Sequence, residues 1–357
     1  MRLLVLAIRA LGDVVLTTPV YRILKAAYPI ATVDVVVERP YGDLLRGNPN
    51  LDAIYEVDRG RDLPRTANWS AQARLIGALR QKHYDTVVDL FSGPRSALMA
   101  RLTGAGRRIG EDTRSRGRGW LYTHPIPVQR EEEHLVAQKL RLIRPLVGDV
   151  KEAPLELFVG SEERAEAETL FQARGVRPGV PRICLFPGSG WINTRWPSER
   201  FAALGDLMAD RYDADVIVLG GEKDLAVCEA VADGMRHTPH LFSDLRSLQL
   251  MAALISRMDL FVSNNTGPMH MAVALKVPTV AICGPTNLRK YRPWGNRFQV
   301  VSRRLPCSPC PQHEESCRLV GRVPQACMLE ITVEEVVEAA DCLLAAITEP
   351  AAVGAVR

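Results

Sequence analysis

The sequence has no early apolar run long enough to engage a membrane. The first, Leu3–Ile8, falls far short of the ~20 residues of a bilayer span and of a signal-peptide core. The expectation is a chain that stays in the cytoplasm. Strong charge of either sign is also lacking: a formal net charge of +4 over 357 residues gives no footing for a nucleic-acid binder. With 47% hydrophobic and 24% charged residues, the composition is neither that of a disordered tail nor that of a membrane protein. No sequence repeat links the two halves. The length exceeds one ordinary core, so two domains are expected.

What is present is unevenly placed. Arg107, Arg108, Arg114, Arg116 and Arg118 face only Glu111 and Asp112 in one short stretch. Such local charge suits phosphate or carboxylate partners, although a solvated loop has the same look. Eight cysteines without an export signal are expected as reduced thiols. Cys184, Cys228, Cys283 and Cys342 lie among apolar residues and read as small core side chains. The other four are clustered.

Leu3–Ile8 reads as a strand buried on both faces, the habit of parallel sheets, and is followed by Gly12-Asp13 and a helical stretch to about Tyr28. Further strands are predicted at Thr32–Glu38, Ala53–Val57 and Asp85–Leu90, with helices near Ala71–Lys82 and Arg95–Thr103. After a polar helix at Glu131–Leu146, the segment Arg174–Pro181 is the best linker candidate, holding two glycines and two prolines. A second series follows, with strands at Arg182–Phe186, Ala214–Leu219, Asp259–Ser263 and Thr279–Cys283. Its helices are Ser198–Arg211, Glu222–Met235, Ser247–Ser256 and Gly267–Leu275. Alternation of this kind means βαβ units. The predicted class is α/β, two Rossmann-like doubly wound domains facing a cleft. The divisions are residues 1–176, residues 177–331, and a last helix from residue 332 that packs back on the first domain, followed by a tail to residue 357.

Ligands of such sheets bind beyond the carboxyl ends of the strands, and the chemically loaded residues fall there. Asp13 follows the first strand, where it can serve as an N-cap or as a general base. Phe186-Pro-Gly-Ser-Gly190 follows a strand, with Arg195 before the next helix; glycine-rich backbone there can cradle phosphate, or simply turn. Ser263-Asn-Asn-Thr-Gly-Pro-Met-His270 places Thr266 and Gly267 at a helix mouth and His270 one turn later. Gly284-Pro-Thr286 ends the next strand. Three such turns in one domain describe a nucleotide-diphosphate pocket.

These segments resemble the heptosyltransferase family, the inverting enzymes that pass heptose from ADP-heptose to the lipopolysaccharide inner core. The resemblance rests on Ala10–Pro19, Pro187–Phe201, Leu219–Asp224, Ser263–His270 and Ile282–Thr286, and runs from Met1 to about Ile347. It implies the GT-B architecture, with acceptor on the N-terminal domain and donor on the C-terminal one. Asp13 matches the family's proposed base. Ser189, Gly190, Thr266, Gly267 and His270 match contacts to the diphosphate and sugar, and Asp224 or Glu222 a contact to the ribose. Two positions depart: Thr194 stands where lysine is usual, leaving the charge to Arg195, and Asn265 where aspartate is usual.

The expected activity is glycosyl transfer from an ADP-heptose-like donor to an anionic glycolipid. Asp13 is the base, and Arg95, Arg114 and Arg116 are acceptor contacts. Peripheral association with the inner membrane accompanies that acceptor. A nucleotide-sugar epimerase, another GT-B enzyme, and a non-catalytic metal-dependent binding or assembly protein are the competing readings. No cofactor is needed for the chemistry. Cys307, Cys310, Cys317 and Cys327, which open with C-x₂-C in a loop rich in proline and charge, are expected either as free thiols or as a structural metal site. His313 is a weaker substitute ligand. Zinc fits first and iron second; the resemblance adds weight to iron, because protein-modifying relatives hold iron on cysteines of different spacing.

Overall fold

The computed structural model describes residues 1–58, 65–117, 119–129, 132–150, 153–245, 247–303, 305–310, 317 and 325–348, with backbone alone at 65–69, 116 and 346–348. The chain divides into two compact units, Met1–Phe158 and Val159–Arg357.

The first unit runs β1 (Arg2–Ala7), α1 (Leu11–Val15), α2 (Thr18–Ala27), β2 (Thr32–Glu38), β3 (Ala53–Val57) and α3 (Arg65–Gln81). It continues with β4 (Thr86–Asp89), α4 (Pro94–Leu102), β5 (Arg107–Glu111), β6 (His124–Ile126) and α5 (Leu135–Val147). All its strands pair in parallel, in the order β3-β2-β1-β4-β5-β6. Central strands carry the apolar runs: Leu3 to Ala7 of β1 are fully buried. The predicted single helix to Tyr28 is instead two. Thr17 and Thr18 turn their hydroxyls onto the carbonyls of Val14 (2.6 Å) and Val15 (2.8 Å), which competes with helix continuation, and Pro19 then opens α2.

The second unit runs α6 (Ser161–Ala173), β7 (Arg182–Phe186), α7 (Ser198–Tyr212), β8 (Asp215–Gly221), α8 (Leu225–Gly234), β9 (His240–Leu245) and α9 (Leu248–Ile255). Then come β10 (Leu260–Asn264), α10 (Gly267–Ala274), β11 (Thr279–Cys283), α11 (Leu288–Tyr291), β12 (Phe298–Ser302), α12 (Ala326–Leu329) and α13 (Val333–Thr348). Its parallel sheet has the order β12-β11-β10-β7-β8-β9.

Three expectations are corrected. The division falls after Phe158 rather than at residue 176, because α6 belongs to the second unit: its Phe171 meets Phe242 edge-on at 5.6 Å and lies under the Arg182 guanidinium. The segment Arg174–Pro181 is therefore an α6–β7 connection, pinned by Arg177 to Asp215 (2.8 Å). The last helix belongs to the second unit. Val336, Val337, Ala340, Leu343 and Leu344 of α13 form a helical stripe in the core of the second unit, against α7, β11 and β12. At about 1.5–3 kcal/mol for each buried large aliphatic side chain, that seam anchors the helix firmly. Third, Cys342 is exposed, whereas Cys184, Cys228 and Cys283 are buried as expected. Among the described residues, no helix is long and apolar enough to cross a membrane.

Candidate active site

In each sheet, two neighbouring strands send their connections in opposite directions: β1 and β4 in the first, β7 and β10 in the second. Such switch points open a crevice at the strands' carboxyl ends.

In the first unit the chain leaves β1 through Ile8 and Arg9, and Ala10 rather than Asp13 is the N-cap of α1. Asp13 sits in the first helical turn, where a carboxylate is favoured by the helix dipole. Its side chain is 17% exposed, and the Arg9 guanidinium lies 3.4 Å away. Beyond β4, Asp89 is wholly buried and accepts from the amides of Phe91 (3.1 Å) and Ser92 (2.9 Å) and from the Tyr122 hydroxyl (2.8 Å). Burial raises its carboxyl above the usual carboxylate range against those hydrogen bonds. Glu111, at the end of β5, accepts from Gln138 (2.6 Å) and Arg141 (3.0 Å), and Arg141 also holds Glu133 (2.7 Å). Lys139 of α5 completes this web with a buried ammonium.

The arginines expected to contact the acceptor are more committed than the sequence implies. Arg95 is half-buried and donates to the Asp58 carbonyl (2.5 Å). Arg114 forks onto its neighbour Asp112, which holds that carboxyl below its ordinary value, and lies over the exposed Trp120 ring at 5.6 Å. The side chain of Arg116 and all of Arg118 lie outside the described residues.

In the second unit, β7 runs into Pro187–Trp191, a loop closed on itself. Ser189 and Thr194 share a hydroxyl hydrogen bond (2.5 Å), Thr194 donates to the Trp191 carbonyl (2.7 Å), and Arg195 forks onto the Ser189 carbonyl (2.8 and 3.2 Å). Thr194 is thus a buried strut rather than a ligand contact. Gly190 is exposed, with open space where a Cβ would stand.

Asn264, at the end of β10, joins the two arms of the switch point. Fully buried, it donates to the Pro187 carbonyl (2.8 Å) and accepts from the Trp196 amide (2.9 Å), which fixes both ends of the loop. Asn265 turns away, donating to the Tyr291 carbonyl (3.1 Å) and approaching Cys283 Sγ (3.4 Å). Thr266 is the N-cap of α10 without a side-chain capping bond, so the amide dipoles at Gly267 are not covered by it. His270 is buried one turn further on.

Two glycines of these motifs are explained by close approach. A Cβ on Gly188 would stand 2.4 Å from the Asp224 carboxylate, so Asp224 packs against the loop after β7. Burial raises that carboxyl, with Arg195 and Lys223 opposing. Glu222 is exposed. A Cβ on Gly284 would stand 2.3 Å from Met328 Sδ: this glycine admits α12.

The cysteine segment docks there, with the Cys310 amide on the Pro285 carbonyl (3.1 Å). Burial first, then Cys310, Cys307 and Cys317, push the Cys327 thiol up to about 11. Four thiols suit a soft metal by donor chemistry. Among the described residues, however, no three His, Cys, Asp or Glu side chains are grouped to hold one. His313 lies outside the described residues. The expected metal site is therefore not formed by these side chains as placed, and no chemistry is routed through it.

Sequence reasoning missed Asp89, Lys139 and Asn264. The signals were there: an acid inside the apolar Thr86–Leu90 run, a lysine on the apolar stripe of Val136, Leu140 and Ile143, and the first asparagine of an adjacent pair.

Comparison with known proteins agrees with this geometry. Residues 72–320 match the family model of glycosyltransferase family 9 (heptosyltransferase). Lipopolysaccharide heptosyltransferase 3 of Escherichia coli is 29% identical over 296 residues, covering 80% of this chain and 84% of that one. A glycosyl transferase family 9 structure from Veillonella parvula superposes with a TM-score of 0.84 at 26% identity, covering 96% and 97% of the two chains. The E. coli ADP-heptose lps heptosyltransferase II shares the fold, with a TM-score of 0.78 at 23% identity over 98% and 100%. The chain belongs to glycosyltransferase family 9, the heptosyltransferases.

Proposed function

We propose that the chain transfers a heptose, with inversion, from ADP-heptose or a close analogue to a hydroxyl of the lipopolysaccharide core. The observation that carries the reading is the second unit's switch point. There the Asn264-braced loop with Ser189, Gly190 and Arg195 lies beside the strand that leads into Thr266, Gly267 and His270. Amide dipoles, one guanidinium and a buried imidazole suit a sugar diphosphate. Asp224, and Glu222 on the exposed side, supply the acidic contacts for the nucleoside. The first unit supplies Asp13 and binds the acceptor. Arg95 and Arg114 are the acceptor's phosphate contacts in this reading, and Arg114 exchanges Asp112 for the substrate.

In the reaction, the acceptor oxygen forms a bond to the anomeric carbon as its proton passes to Asp13. The bond from that carbon to the phosphate oxygen breaks, and the nucleoside diphosphate leaves with the electron pair, stabilised by the Arg195 charge and the α10 amides. The step calls on no resident cofactor. An acceptor of this kind is presented at the inner face of the inner membrane, where the enzyme would work peripherally.

The test is a donor screen. Nucleotide-heptoses and nucleotide-hexoses are each supplied with core glycolipid, and nucleoside diphosphate release is followed with and without acceptor. Acceptor-dependent release from ADP-heptose above all others is the expected result. Donor epimerisation, or release independent of acceptor, would refute the transferase reading.

A further inference from the structure

Lys139 is the most unusual charged group of the first unit. Only 2% of it is exposed, yet it ends in an ammonium. Its Nζ donates to the Leu90 carbonyl (2.6 Å) and to Gln138 Oε1 (3.2 Å), and stands 3.9 Å from the centroid of the Phe91 ring. The same ring carries the Arg9 guanidinium at 5.7 Å, and Arg9 reaches Asp13 at 3.4 Å. Leu90 in turn hangs on β1 through its amide and the Leu6 carbonyl (3.1 Å). The ammonium is thus bolted to the β1/β4 switch point, on the edge that presents Asp13. A lysine kept in such a place, at the cost of its hydration, calls for charges to balance it.

We propose that Lys139 is a positioning residue for Asp13. Its fixed ammonium offsets the negative charge of Asp13, Asp89 and Glu111, and its deprotonation sets the alkaline limit of glycosyl transfer. This rests on the reading of Asp13 as the base.

The groups that face it fix the sign. Burial pushes the Lys139 ammonium down to about 8, while Asp13, Glu111 and Asp89 hold it up and Arg9 opposes. Arg141, on its own helix, is engaged by Glu111 and Glu133. On α2, which packs against α5, Arg22 is occupied by Glu156 and Lys25 by Asp52. Loss of the ammonium proton as pH rises would leave the switch-point edge that presents Asp13 without the cation that balances it, and turnover is expected to fall because the carboxylate is no longer held in place.

The experiment is the pH profile of kcat at saturating donor and acceptor, together with carbon-13 lysine NMR of Lys139. The wild type should show an alkaline limb near 8. Lys139→Met, similar in volume and neutral, should lower kcat at neutral pH about tenfold and flatten the profile between about pH 7 and 9. An unshifted limb in a folded Lys139→Met overturns the proposal. The NMR titration does not depend on turnover: in Asp13→Asn the Lys139 midpoint should move to lower pH, because a negative neighbour is gone. An unmoved midpoint overturns the charge pairing even if that variant is inactive. A moved midpoint with full turnover in Asp13→Asn instead overturns the base assignment.

Discussion

Replacing Asn264 by leucine keeps the side-chain volume and removes both hydrogen bonds that close the loop after β7. The Pro187 carbonyl and the Trp196 amide, at 2.8 and 2.9 Å from the asparagine, are then left without that partner. Asn264 is fully buried, so water does not readily take its place. Each orphaned group costs about 1–3 kcal/mol, so the pair costs about 2–6 kcal/mol. That is a large part of the ~5–15 kcal/mol that holds a domain folded. Urea unfolding followed by tryptophan fluorescence reads this directly: the midpoint should fall by about 1 M or more with an unchanged slope. Because the same bonds fix both ends of the Ser189–Arg195 segment, affinity for the nucleoside diphosphate should weaken alongside. A midpoint within about 0.3 M of wild type would show that Asn264 does not brace the loop, and the account of the second switch point would fail.

The two glycine contacts give paired expectations. Gly284→Ala forces Met328 and α12 away, at a cost of about 1–3 kcal/mol, and should expose the Cys327 thiol to alkylation sooner than in the wild type. Gly188→Ala displaces the Asp224 carboxylate and should raise donor KM more than it lowers thermal stability. Asp89 has a carboxyl raised by burial, so the folded chain binds its proton more tightly than the unfolded chain does. Stability therefore falls as pH rises through that window. Asp89→Asn keeps an acceptor for the Phe91 and Ser92 amides and should remove the slope, so its Tm relative to wild type rises as pH climbs above the ordinary carboxylate range. A constant difference in Tm would contradict the assignment.

Inner strands β2, β7 and β11 were legible because they are nearly continuous apolar runs, and they lie where the sequence puts them, as does the edge strand β3 (AIYEV), whose alternation carries the signal. Four strands were not read: β5 (RRIGE), β6 (HPI), β9 (HLFSDL) and β12 (FQVVS). They lie at or next to a sheet edge, where one flank needs no apolar cover, and polar residues interrupt the pattern. Two of the five clustered arginines, Arg107 and Arg108, are in β5 for that reason. The position of α13 was illegible in another way. Its stripe announces burial but not against which sheet, and only packing on α7 and β12 decides it. At the candidate site, the motif residues stood out in the sequence because turns and helix starts have local signatures. Asn264 and Lys139 act over long sequence separations, which no local pattern encodes.

In the proposed mechanism the chemistry turns on one carboxylate, Asp13. With donor and acceptor saturating, Asp13→Asn in correctly folded protein should lower kcat by roughly 10²–10⁴-fold, the usual loss on removing a general base, with the dissociation constant of the nucleoside diphosphate unchanged. Turnover within a few-fold of wild type would contradict the account.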